Sequence, residues 1–185
     1  VEGDPFALYA GVACHLQQTA EAATEATKRL GFAESRNIDR VVRARMETEA
    51  IDLGGPFPVN EAIGVAEAYM ATVYGGVPTL LIPRLFVPCG CSGGMLRANL
   101  DGSLTTCQGS LVANVTIPLD DPVVTATETI YVTGQITLLR SPVNTISVPQ
   151  QPRDDGTYAP ARALAERIYV PLFECLVAKV EASCS

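Results

Sequence analysis

The chain has 185 residues, 48% of them apolar and only 18% charged, with a net charge of −7 at neutral pH. That length holds a single domain with its own core, and the apolar content excludes a disordered chain. The charge balance excludes a nucleic acid as partner, because phosphate binding needs many cations on one face and the basic group Arg40, Arg43 and Arg45 lies among acids.

The charged fraction is below the roughly 25% of ordinary soluble domains, which points to surface hidden between subunits. No run reaches the roughly 18 apolar residues that a membrane-spanning helix needs. Val1 in place of Met is consistent with a removed leader, and six cysteines fit an oxidising compartment. Asn114-Val115-Thr116 is a glycosylation sequon. These features together favour an exported protein, extracellular or on a cell surface.

Phe6 to Ala10 reads as an apolar segment near the start, able to pack on its own core or on a neighbouring subunit. From Leu8 to Leu30 the spacing predicts a helix, with Val12, Leu16, Ala20, Ala23, Ala26 and Leu30 recurring at three and four. Gly31 is its expected end. Ser35 then caps a second helix to about Glu49, with Ile38, Val41, Val42 and Met46 inward. Gly54-Gly55-Pro56-Phe57-Pro58 is a break, after which Asn60 caps a third helix that stops at Gly75-Gly76.

At Val77 the composition turns to Leu, Ile, Pro and Phe, the mark of a strand made irregular by its prolines. Asp101-Gly102 predicts a two-residue hairpin turn that sets Leu100 opposite Ser103 and Leu96 opposite Cys107. Strands are expected over Leu111–Ile117, Val123–Val132, Gln135–Arg140 and Val143–Val148, with Pro118 to Pro122 as a turn. Glu128 interrupts the apolar row of its strand and is expected at an edge, a bulge or a subunit contact with an arginine. Pro149 to Gly156 is a polar linker. Ala161 to Ser183 then reads as a final helix, opened by Pro160, apolar all round and kinked at Pro171.

Gly90-Cys91-Ser92-Gly93-Gly94 satisfies the nucleophile pattern G-x-S-x-G, which works in a strand-to-helix turn with a histidine base to follow. Here a hairpin strand is expected to follow, and the single histidine, His15, precedes the serine. A Cys/His pair is also poorly placed, since Cys14 and His15 point about 100° apart on a helix. Cys89, Cys91 and Cys107 make a poor zinc set, because structural sites use paired C-x₂₋₄-C spacings. Asp120-Asp121 and Asp154-Asp155 read as solvated turn residues rather than a calcium loop. No catalytic, cofactor or metal residue is assigned.

Disulfides remain the best account of the cysteines. Cys89 and Cys91 are too close to bond comfortably, and Cys175 and Cys184 would stand about 13 Å apart on one helix. The natural pairings join Cys89, Cys91 and Cys107 to Cys14, Cys175 and Cys184, or to another subunit. The expected fold is α+β. An antiparallel sandwich or barrel of about six to seven short strands spans residues 77–148, packed with N-terminal helices and one C-terminal helix. A single domain, 1–185, would hold a helical layer over 1–76, a β region over 77–149 and the returning helix over 157–185. The expected function is structural: a disulfide-stabilised subunit of a filament, surface coat or capsid-associated assembly, with copies of itself as partners. A secreted binding module and a serine or cysteine hydrolase are the alternatives.

Overall fold

The computed structural model describes residues 4–14, 19–115, 127–174 and 176–184. The chain runs in the order β1 (Phe6–Cys14), α1 (Thr19–Glu49), β2 (Ile51–Asp52), β3 (Phe57–Pro58), α2 (Val59–Val73), β4 (Thr79–Pro83), α3 (Val87–Ser92), β5 (Leu96–Ala98), β6 (Leu104–Thr106) and β7 (Leu111–Val115). It continues through β8 (Thr127–Thr133), β9 (Ile136–Arg140), β10 (Asn144–Val148), β11 (Gln151–Pro152), β12 (Tyr158–Ala159), β13 (Ala161–Phe173) and β14 (Val177–Ser183). These elements fall into two units, Asp39–Thr137 with Leu172–Ser185, and Glu2–Ile38 with Leu138–Pro171.

The first unit is built on a mixed sheet in the order β2-β14-β8-β4-β7-β6-β5, with β3 also paired to β14. β4 and β7 run parallel, while β8 is antiparallel to both β4 and β14. Alternation sorts the side chains: Leu80 and Ile82 of β4, Ile130 and Val132 of β8, and Ala178, Val180 and Ala182 of β14 share one buried cluster. Helix α2 covers them with Val59, Ala62, Ile63, Ala66 and Met70, a stripe at three- and four-residue spacing. Phe86, in the turn after β4, completes the cluster fully buried.

The second unit is thinner. β13 is its centre, paired antiparallel to β1 along Phe6–Cys14 on one side and to β10 on the other, with β9 also joined to β13. Val12, Ala163 and Ala165 face Ala22, Ala26 and Leu30 of α1. Phe6 stacks on Tyr169 with ring centroids 5.5 Å apart. Arg167 Nη1 donates to Glu34 Oε1 at 2.8 Å.

The expected α+β class holds, but the sandwich or barrel does not: the sheets are open, one is mixed rather than antiparallel, and the described strands outnumber the expected six or seven. The largest correction concerns residues 161–183, which are two strands, β13 and β14, not a helix. Leu8 to Cys14 is likewise strand. The two expected helices over Leu8–Leu30 and Ser35–Glu49 are one, α1, of 31 residues. Gly31 does not stop it: the helix is held by buried residues on both sides, Ala26 and Leu30 before it and Val42 and Met46 after it, and that burial outweighs the roughly 1 kcal/mol a helical glycine costs. The linker over 149–156 contains half of a small hairpin, β11 with β12. The Asp101-Gly102 hairpin is real but one residue out of register, with Leu96 opposite Thr106 and Ala98 opposite Leu104. Asn99 N donates to the Ser103 carbonyl, so the loop is longer than two residues. The expected turn over Pro118–Pro122 and the start of the strand at Val123 lie outside the described residues.

Candidate functional site

The segment with the nucleophile pattern forms the short helix α3 and the turn behind it. Ser92 ends that helix and donates its hydroxyl to the Cys89 carbonyl at 2.9 Å. Strand β5 follows, so the order is helix, turn, strand, the reverse of a nucleophile elbow. His15 lies outside the described residues. Gly93 has a packing role, since a Cβ there would fall 1.8 Å from Nδ2 of Asn60. Asn60 is therefore not the cap of α2. Pro58 precedes the helix without a side-chain cap, and Asn60 Oδ1 is buried with no partner among the described residues.

Cys89 is bonded to Cys184, which ties α3 to the end of β14 across 95 residues of sequence. Cys91 and Cys107, expected to bond as well, are free and exposed. Cys91 sits two positions after Cys89 on the helix, about 200° further round its axis, and so points away from Cys184. The Cys107 thiol donates to the Gly94 carbonyl instead. Cys175 and the side chain of Cys14 lie outside the described residues. Among the described residues no group of three acidic, histidine or cysteine side chains is arranged to hold a metal ion. Asp155 receives hydrogen bonds from the Thr157 amide and hydroxyl, which hold its carboxyl below the usual range.

Polar groups inside the first unit fix its elements to one another. Glu67, only 4% exposed, accepts from the hydroxyls of Thr106 and Ser110 and so joins α2 to the β6–β7 turn. Glu47 of α1 accepts from Tyr131 of β8 and from Lys179 Nζ of β14, the latter at 2.7 Å. The Lys179 ammonium, then the Tyr131 hydroxyl, hold the Glu47 carboxyl below its ordinary range. Burial, then the bond to Glu47, pushes the Tyr131 phenol up to about 12. Glu128 is paired with Arg43 Nη2 at 3.1 Å, so the charge that interrupts the β8 row is matched by an arginine of its own chain. An edge, a bulge or a subunit contact with an arginine was expected for Glu128; the arginine is there, but it comes from the same chain.

The second unit differs, because among the described residues nothing covers one face of its sheet. Alternation along β13 turns Arg162, Leu164 and Glu166 away from α1. The register places Ala13 and Val148 beside Arg162, Gly11 and Ile146 beside Leu164, and Tyr9 and Asn144 beside Glu166. Tyr9 is 74% exposed, and Ile146, Val148, Leu164 and Ile168 are exposed too. Gly11 and Ala13, with little side chain, leave an open depression of about 400 Å³ walled by Ile146, Val148, Arg162 and Leu164. No reading of the sequence found this face. Its signal was the alternation of small and large residues through Ala161–Ile168, masked by an alanine content that suits a helix.

No protein-family model matches the chain, and neither does any curated protein sequence. Among solved structures, it is similar to a chain of the structure titled Mycobacterium phage Che8, at 12% identity and a TM-score of 0.58, over 95% of this chain and 70% of that one. It also aligns with a chain of the capsid structure of the cyanophage P-SCSP1u, at 8% identity and a TM-score of 0.45, over 100% of this chain and 73% of that one.

Proposed function

We propose that the chain is a structural subunit that assembles with copies of itself into a shell of the capsid type. The observation that carries this reading is the bare face and edge of the second unit. Isolated apolar residues on a surface need no explanation, but a contiguous apolar patch marks an interaction site. Tyr9, Leu164, Ile146 and Val148 form such a patch across three adjacent strands. β1 adds an open edge of nine residues, Phe6–Cys14, without a charge or a proline. Monomeric proteins protect such edges with lysine, proline or bulges. A subunit whose edges are covered on assembly has no need to.

A fold shared over nearly the whole chain with a chain of the structure titled Mycobacterium phage Che8 agrees with this reading. The bond between Cys89 and Cys184 suits a protein that works outside a reducing cytosol, as a particle released from a cell would. Export and the extracellular setting belong to the proposal on that ground.

Sedimentation velocity over a concentration series, with negative-stain microscopy of the same samples, tests it. The expected result is growth of large species with concentration, seen as rings, sheets or closed shells. A monomer at every concentration would overturn the reading.

A further inference from the structure

The bare face is self-complementary about the row that contains Leu164, and from this we infer that it pairs with the same face of a second copy across a two-fold axis. The inference rests on the self-assembly reading and specifies one of its interfaces.

Three rows of three residues run across the sheet: Ala13, Arg162 and Val148; Gly11, Leu164 and Ile146; Tyr9, Glu166 and Asn144. Consider a two-fold axis between two stacked sheets, perpendicular to β13 and passing by Leu164. It lays β1 over β1 and β10 over β10, with strand directions reversed. The middle row then meets itself, Leu164 on Leu164 and Ile146 on Ile146. The first row meets the third row of the other copy. Arg162 meets Glu166, Ala13 meets Tyr9, and Val148 meets Asn144. Opposite charges and large against small fall together in the same operation.

Each element of that match has its own support. The side chains of Arg162 and Glu166 have no hydrogen bond or ion pair among the described residues. At about 3.3 Å per residue they stand roughly 13 Å apart along the strand, too far to neutralise one another. Tyr9 projects from the sheet at 74% exposure, and the depression of about 400 Å³ at Gly11 and Ala13 is the hollow the symmetry sets opposite it. Sheets stacked face to face lie about 10 Å apart and within about 30° of aligned, which interdigitated side chains of these sizes fill. The contact is isologous, as closed two-fold interfaces require. Nine residues are well below the roughly 20 to 30 per partner of a standard stable interface. The contact is therefore weak alone and gains strength from the other contacts of an assembly.

A charge swap tests it. Arg162→Glu alone, and Glu166→Arg alone, should each weaken self-association about 10-fold or more in sedimentation velocity, by setting like charges face to face. The double variant should restore it, with melting curves confirming that all three fold. Geometry is tested by oxidative cross-linking in a Cys91→Ser/Cys107→Ser background. Leu164→Cys lies on the symmetry row and should form a covalent dimer. Leu100→Cys, at the fully exposed tip of the β5–β6 hairpin, should not. Self-association that survives both single swaps, or Leu164→Cys cross-linking no better than Leu100→Cys, would overturn this interface and leave the self-assembly reading standing. A wild-type chain that never self-associates would overturn both.

Discussion

The two units spend their apolar residues differently. In the first, α2 covers one face of the sheet with a close-packed cluster, and Glu47, Tyr131, Lys179, Arg43 and Glu128 form hydrogen bonds and ion pairs that join α1 to β8 and β14. In the second, one stretch of α1 covers one face of a narrow sheet, and apolar residues of comparable size on the other face meet solvent. The same chemistry thus stabilises the fold in one place and is left available for association in the other. Substitutions should divide along the same line: those in the first unit act on stability, and those on the bare face act on assembly.

The sharpest break of that contrast comes from a matched pair. Phe86 is fully buried among the residues that α2 covers. Phe86→Ala removes its transfer energy and leaves a cavity, so unfolding free energy should fall by about 3–5 kcal/mol. Leu164→Ser removes an equally apolar side chain from the bare face, and stability should stay within about 0.5 kcal/mol while self-association drops. Denaturant unfolding read beside sedimentation checks both. A large stability loss for Leu164→Ser would mean that its face is covered within the monomer.

The disulfide gives the next effect. Cys89→Ala opens a loop of 95 residues, and stability should fall by about 2–4 kcal/mol, the range for native bonds of this kind. Cys91→Ser and Cys107→Ser, at free and exposed positions, should change it by less than about 0.5 kcal/mol. Reductant should bring the wild type to the Cys89→Ala midpoint. Equal effects at all three cysteines would show that Cys89 and Cys184 are not the pair that matters.

Legibility in the sequence followed the strength of local signals. Helix α2, the β5–β6 hairpin and strands β7, β9 and β10 were readable, because Gly-Gly, Asp-Gly and Pro punctuate them and their apolar residues keep one period. The α+β class followed from them. Residues 161–183 were misread because Ala-rich, continuously apolar stretches satisfy two periods at once. Ala161, Ala163 and Ala165 alternate with Arg162, Leu164 and Glu166, a strand pattern, yet alanine and a leading proline both favour a helix. What decided the matter was the pairing of β13 with β1, more than 140 positions away in the chain, and no local window contains that. Misreading β13 also hid the bare face, since its three rows come from β1, β10 and β13 and exist only once the register is known. The cysteines were legible as a set but not as pairs: Cys89 to Cys184 was one of several open pairings, and only the direction of α3 singles it out.

The smallest effect, and the one that reports on each unit separately, is alkaline. Tyr131 in the first unit and Tyr169 in the second both have phenols raised by burial to about 12, against 10.0 for a free tyrosine. A group whose folded pKa lies above its unfolded value binds its proton more tightly in the native state. Its contribution is fully present below pH 10 and is lost as pH rises from there to about 12, where the folded phenol also ionises. Stability should therefore fall across that window, with the unfolded chain releasing protons first. Tyrosinate absorbance in the native protein should show Tyr131 and Tyr169 titrating near pH 12, with Tyr74 also delayed by its bond to Glu174. Tyr131→Phe should remove one late step and Tyr169→Phe the other, each reducing the alkaline loss of stability by a share that belongs to its own unit. If both phenols ionised near pH 10 in the folded protein, the α1-facing side of neither sheet would be as dry as their burial implies.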